Sequence, residues 1–397
     1  MTEKLSVRIL SIDIMRGLTL FLMLFVNDLY EPGVPKWLVH TKANVDGMGL
    51  ADWVFPGFLF MVGLSIPYAV KARKAKGESG FKIFVHILLR ALSLLFIGIL
   101  MLNADRVNPE LTGMNKLLWA GLVYISVFLV WNNYPKSKKY RFLFPALRVF
   151  GLLGLLCLIY IFKAGDGENI KWLETGWWGI LGLIGWGYFT SAFVYLLVKD
   201  NVVILSLVWL LFIWINAFSQ LGMFEVSANI NQIFGVIISG NVPSIVLSGL
   251  LVGVLIKREA YNPKKLLFIL FCLGILSLGV GFILRNWFII SKIYGTPSWA
   301  MICNGISIIV FAALYFIVDQ KRSIKWTGPF DMAGKNSLTT YLMPDLIYFT
   351  SWGFAIPLFF YKQNENMLLA VSGSIIWALL MIYLVNLLSK INIKLKL

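Results

Sequence analysis

The sequence predicts an all-α fold, a polytopic bundle of about twelve membrane-spanning helices, on three observations. Of 397 residues, 59% are hydrophobic and only 14% charged, with a mean hydropathy of +0.80; a soluble globular domain carries roughly 25% charged residues. Apolar runs long enough to cross a bilayer recur from end to end. Basic residues collect in alternate loops, as orientation in a bilayer requires. The net charge of +16, which in a soluble protein would suggest nucleic acid, is accounted for by that alternation, and no nucleic-acid partner is expected.

The first apolar run, 12–30, follows Lys4 and Arg8, contains Asp13 and Arg16, and is followed by no small-residue cleavage site. It reads as a retained helix, not a cleaved signal peptide. The second, 51–70, opens at Asp52 and carries Pro56, which should loosen or kink it. The third, 82–103, holds His86 and Arg90. The remaining runs are 114–132, 142–163, 176–198, 201–218, 234–256, 265–286, 297–318, 336–360 and 366–389. The seventh is short and the eleventh ragged. At 1.5 Å rise per residue each crosses, or nearly crosses, ~30 Å of hydrocarbon.

Loop charges support the even count. Lys71, Arg73, Lys74 and Lys76 follow the second run; Lys136, Lys138, Lys139 and Arg141 the fourth; Lys257, Arg258, Lys264 and Lys265 the eighth. Lys321, Arg322, Lys325 and Lys335 follow the tenth, and Lys390, Lys394 and Lys396 end the chain. The intervening loops are poorer, and 219–233 has no Lys or Arg. Both termini are therefore expected on the cytoplasmic side, and the first loop, 31–50, on the outer face. No internal repeat, low-complexity segment or soluble module is evident, so 1–397 is expected to be a single transmembrane domain, with 114–163 as an inserted helical hairpin. Cys157, Cys272 and Cys303 lie in apolar runs at no metal or disulfide spacing. No Walker loop, GxGxxG or HExxH appears, and no metal is expected.

Ionisable groups inside spans are costly and are functional candidates. Asp13 and Arg16 share a helix face and can pair; Ser11 and Asp13 can equally serve the helix start. Asn27 lies near the outer end of the first span, where it can also simply bond a neighbouring helix. Asp52 can act as an N-terminal charge against the helix dipole. His40 is one of two histidines, and a neutral imidazole can take a proton. Asn27, His40 and Asp52 are expected at one outer level, because two spans bracket their loop.

Arg90 is expected ~12 Å inside the third span, snorkelling to lipid phosphate or holding a phosphate of a cytoplasmic ligand. His86 reads as interfacial. Lys335, Asn336 and Ser337 open the eleventh span, where free N–H groups suit an anion; a capping role for Asn336 or Ser337 is the alternative. Trp and Tyr near span ends read mainly as interfacial belts, although Trp37 and Trp53, with Asp46, flank the outer loop and suit a sugar.

Several stretches resemble the heparan-α-glucosaminide N-acetyltransferase family: SIDIMRGLTLFLMLFVND (11–28), LVH (38–40) and LADWVFPGFLFMVGLSI (50–66), then GWWGILGLIGWGYF (176–189), PSIVLSGLLVG (243–253), TPSWAMICNGISIIVFAALYFIVD (296–319) and PFDMAGKNSLTTYL (329–342). The resemblance covers most of the chain. The chain departs from it in HTKANVDG (40–47), which lacks the family's Trp, and in GLIG (182–185), where the family often has Gln-Arg.

The resemblance implies a bacterial-type member without a large extracytoplasmic domain, in the inner membrane, its active-site loop facing the periplasm or exterior. It implies acetyl transfer from cytoplasmic acetyl-CoA to an amine or hydroxyl of an outer sugar or glycan, in the family a terminal glucosamine. His40 would be the catalytic base, with Asp52 orienting it and Asn27 donating to the oxyanion. Arg90, Lys335, Asn336 and Ser337 would hold the CoA phosphates, with Arg16 beside them. Direct transfer needs only proton abstraction by His40 and is favoured over an acetyl-His intermediate. Partners are the bilayer, the donor and the acceptor, with a homodimer as the assembly to test. A secondary transporter or flippase for a sugar or lipid-linked glycan is the rival class, though no repeated half or matched pair of broken helices supports it.

Overall fold

The computed structural model describes residues 9–224, 226–259, 262–356, 358, 362 and 366–397. Lys4 and Arg8, and part of the eleventh expected span (357, 359 and 360), lie outside the described residues. The helices are α1 (Leu10–Asp28), α2 (Leu50–Lys74), α3 (Gly80–Ala104), the short α4 (Pro109–Thr112), α5 (Lys116–Trp131), α6 (Leu143–Ile161) and α7 (Gly179–Val198). There follow α8 (Val202–Gln220), α9 (Ala228–Ile238), α10 (Asn241–Arg258), α11 (Pro263–Leu284), α12 (Pro297–Leu314), α13 (Gly328–Lys335), α14 (Ser337–Gly353) and α15 (Met367–Lys390). The fold is all-α, and the described residues contain no named strand.

Among the described residues, ten helical segments are long and apolar enough to cross a membrane, α9 and α10 counting as one. This is an integral membrane protein. The other two of the twelve expected runs are also helical but shorter: α5 has 16 residues and α14 has 17. Asn115 caps α5 through the N–H of Leu117, and α14 is interrupted in apolarity by Pro344 and Asp345. One expected span is broken: the eighth divides at Gly240, whose φ of 72° is left-handed and suits glycine. The eleventh starts where expected, α14 opening at Ser337 after a short preceding helix, α13.

α2 and α10 run through the middle, buried along most of their length. They approach closely because glycines face backbone: a Cβ on Gly63 would lie 1.8 Å from the Val246 carbonyl oxygen, and one on Gly249 would lie 1.9 Å from that of Phe60. Small residues at such crossings are how helices pack without help from water. The outer helices instead present large apolar side chains outward, among them Phe150, Tyr160, Leu276, Phe282 and Leu387, a surface suited to lipid. The segment 114–163 forms α5 and α6 packed on each other, with Trp119 buried between them and donating to the Leu158 carbonyl. Tyr124 ties α5 to Asp345 of α14.

The described chain ends lie at one end of the bundle. Asp319, after α12, accepts from the N–H groups of Leu10 and Ser11. The tail crosses the α5–α6 linker, with Lys396 N–H donating to the Trp131 carbonyl and Lys394 N–H to Asn132 Oδ1. The basic loops after α2, α5, α10 and α12 share this end. The 29–49 loop, the α11–α12 connection and the start of α7 form the opposite end.

Candidate functional site

At the end away from the termini, the 29–49 loop folds back on the first turn of α2: Leu50 N–H donates to the Trp37 carbonyl and Ala51 N–H to that of Leu38. Gly49 permits this, since a Cβ there would lie 2.0 Å from the Val39 carbonyl oxygen. His40 is thereby delivered beside Asp52, in the first turn of α2. Nδ1 of His40 is 2.8 Å from Asp52 Oδ1, with the imidazole 41% exposed and the carboxylate 1%. The other carboxylate oxygen accepts from the N–H groups of Thr41 (3.0 Å) and Gly49 (2.9 Å). One buried carboxylate thus closes the helix start and fixes the ring. With Nδ1–H donated to Asp52, the lone pair lies on Nε2.

A residue that the sequence reading passed over completes the cluster. Nζ of Lys292, in the α11–α12 connection, lies 3.2 Å from Nδ1 and 3.4 Å from Nε2 of His40. Burial lowers the Lys292 pKa, while Asp52 and Cys303 oppose the shift. Its loop is stitched to the His40 loop. Asp46 pairs with Arg285 at 2.8 Å and accepts from Ile290 N–H; Gly47 N–H donates to the Ile290 carbonyl, and Ser291 Oγ to that of Ala43. The Ile290 hydrogen bond, with Arg285, holds the Asp46 carboxyl below its ordinary range. One signal was present: the connection 285–296 carries Arg285 and Lys292 with no acid, against the loop-charge rule. Both bases are accounted for by partners on the first loop.

The other expected residues are spread more widely. Asn27 is exposed, and no hydrogen bond joins it to His40 or Asp52. Its neighbour Asp28 is buried, meeting the Tyr348 hydroxyl and Lys362. Trp37 is exposed. Trp53 is buried and its indole N–H donates to Ser307 Oγ at 3.1 Å, so its ring belongs to the core. Asp46 braces the two loops, as above.

Two cavities approach each other through the bundle. A 720 Å³ cavity at the His40 end is lined by Phe55, Trp177, Trp178, Trp299, Asn241 and Lys292, among others. At the end holding the termini, lobes of 520 and 420 Å³ share Phe58, Val62, Arg90 and Ser337. Phe55 and Phe58 are three residues apart on α2, a rise of about 4.5 Å, and on α7 Leu183 and Ile184 face the two cavities in the same way.

The two lobes are strongly basic. Arg16, Lys71, Arg90 and Lys257 line one; Arg90, Lys335, Lys394 and Lys396 line the other. Arg16 donates to Ser65 Oγ at 2.7 Å and pairs with Asp13; Lys335 pairs with Asp331. Arg90 stacks its guanidinium 4.8 Å from the centre of the Tyr188 ring, and its buried Nε has no hydrogen-bond partner among the described residues. Asn336 is buried and donates to the Met332 carbonyl; among the described residues its Oδ1 has no hydrogen-bond partner and no side chain caps α14. Lys394 has its pKa lowered by burial and by Lys396 and Lys335, as expected where cations crowd without an anion.

Fold and site together define a polytopic helical membrane protein with a His–Asp pair at one rim and a cationic cavity opening at the other. Residues 8–233 match the family described as "Domain of unknown function (DUF5009)", and the chain belongs to that family. Over 98 residues it is 37% identical to the heparan-alpha-glucosaminide N-acetyltransferase of Homo sapiens and 36% identical to that of Mus musculus. Each match covers 25% of this chain and 14% of the relative. The family resemblance read from the sequence is borne out.

Proposed function

We propose that this protein is a transmembrane acetyltransferase, moving an acetyl group from cytoplasmic acetyl-CoA to an amine or hydroxyl of a sugar on the outer face, a terminal glucosamine-type residue being the first acceptor to test. The observation that carries this reading is the approach of the two cavities to within about one helical turn on α2, between Phe55 and Phe58. CoA phosphates entering the basic lobes would meet Arg90, with Arg16, Lys335 and Ser337 on the walls and Asn336 behind them. The thioester would extend past Phe58 toward His40. The basic loops would face the cytoplasm of a bacterial inner membrane, placing His40 on the exterior side.

In this mechanism the acceptor nitrogen attacks the thioester carbonyl carbon and the new C–N bond forms. His40 Nε2 takes the proton the nitrogen loses, and Asp52 steadies the resulting imidazolium. Collapse expels the CoA thiolate, which recovers that proton from His40. Asn27, on the neighbouring helix end, and Trp37, on the loop, remain candidates for acceptor contact. The buried Trp53 and the paired Asp46 would support the site from within.

Purified protein in nanodiscs should release free CoA when an amino sugar is added; acceptor uptake without CoA release would instead support a transporter. Arg90→Ala should weaken acetyl-CoA binding by about 1.5–3 kcal/mol, the range for hydrogen bonds to charged groups, or roughly 10- to 100-fold. Isothermal titration with acetyl-CoA checks this, and unaltered affinity removes Arg90 from the donor site.

A further inference from the structure

We propose that Lys292 is a catalytic residue of this transfer: its ammonium, held against the His40 ring, donates a hydrogen bond to the thioester carbonyl oxygen as that oxygen becomes negative. The inference rests on the acetyltransferase reading above.

Three observations carry it. Nζ lies 3.4 Å from Nε2 of His40, the ring nitrogen left with the lone pair. Lys292 also lines the 720 Å³ cavity on that side, so one cation touches both the base and the space where an acceptor would lie. Its placement is built in, because Asp46, Gly47 and Ala43 of the first loop all hold the 285–296 connection. Such stitching between segments some 240 residues apart fixes the ammonium against the ring rather than leaving it free in solvent.

The charges facing His40 are of opposite sign, Asp52 of α2 and Lys292 of the α11–α12 connection. Cys303 of α12 lies near enough to influence Lys292, while Arg285 is taken up by Asp46. In the resting site the ammonium can donate to Nε2; an arriving amine displaces that contact and uses the Nε2 lone pair. The freed N–H can then turn to the acetyl group in the cavity that Lys292 lines. As the C–N bond forms, the carbonyl π electrons move to oxygen and the ammonium meets that charge without giving up its proton. The oxyanion then reforms C=O and expels the thiolate. A preorganised donor of this kind in a partly desolvated site contributes roughly 10²–10³ in rate.

The test uses full-length protein in nanodiscs with Lys292→Met and Lys292→Arg. In acetyl transfer, Lys292→Met should lower kcat by roughly 10²–10³ with the KM for acetyl-CoA little changed, and Lys292→Arg should restore most of the rate. A kcat that Lys292→Met leaves unchanged in an active protein overturns the assignment, as does an acetyl group on Lys292 after incubation with acetyl-CoA alone, which would make it a covalent carrier. Wild-type protein that releases no CoA overturns the acetyltransferase reading itself.

Discussion

Replacing His40 with alanine is expected to lower acetyl transfer by roughly 10²–10⁴-fold, the range for loss of a positioned general base, while leaving the fold intact. The side chain is 41% exposed, so its removal opens no core cavity. Asp52 keeps the N–H groups of Thr41 and Gly49 and is not left as an unsatisfied buried carboxylate. The donor lobes lie on the far side of Phe58 and should bind acetyl-CoA as before. Thermal melting, donor titration and CoA release on one preparation separate these claims. Turnover unchanged in the variant removes His40 from the chemistry. Asp52→Asn is expected to lose most of the activity too, because an amide can no longer stabilise the imidazolium and can hold the wrong tautomer. It should also lower the melting temperature, since the same carboxylate braces the loop and the start of α2.

Replacing Gly249 with alanine is expected to be strongly destabilising. Its Cβ would lie 1.9 Å from the Phe60 carbonyl oxygen, and backbone cannot rotate aside as a side chain can. α2 and α10 must separate, and overpacking of a dense interior costs about 1–3 kcal/mol or more. The reciprocal contact at Gly63, 1.8 Å from the Val246 carbonyl oxygen, predicts the same outcome for Gly63→Ala. Gly279 on α11 is the control: nothing lies within 4 Å of a Cβ there, and alanine should be neutral or stabilising by about 0.5–1 kcal/mol. Equal melting temperatures for Gly249→Ala and Gly279→Ala would refute the packing argument. Activity should fall with the melting temperature, because α2 carries Asp52, Phe55 and Phe58.

Much of the architecture was legible because a bilayer demands long apolar runs, and such runs can be counted. All twelve expected segments are helical over most of their length, and ten meet the demand for length and apolarity. The misread details have local or tertiary causes. The division at Gly240 turns on one positive φ, which hydropathy averages over; the Ser239–Gly240 pair was the available clue. His40 and Asp52 could be paired from the sequence because they are only twelve residues apart. Lys292 could not, because its partner lies 252 residues away and only the fold joins them. Asp46 looked like a free outer acid for the same reason: Arg285, which occupies it, is 239 residues distant.

The near-meeting of the two cavities carries an obligation of its own. Where a helical turn of α2 is nearly all that divides water on one face from water on the other, that turn must also insulate. Phe55, Phe58, Val62, Leu183 and Ile184 offer no proton or ion a foothold at that depth, where an unpaired charge is expensive. On the function proposed above, the same greasy partition that the acyl thioester would slip through would also keep the membrane's electrical gradient from draining between turnovers.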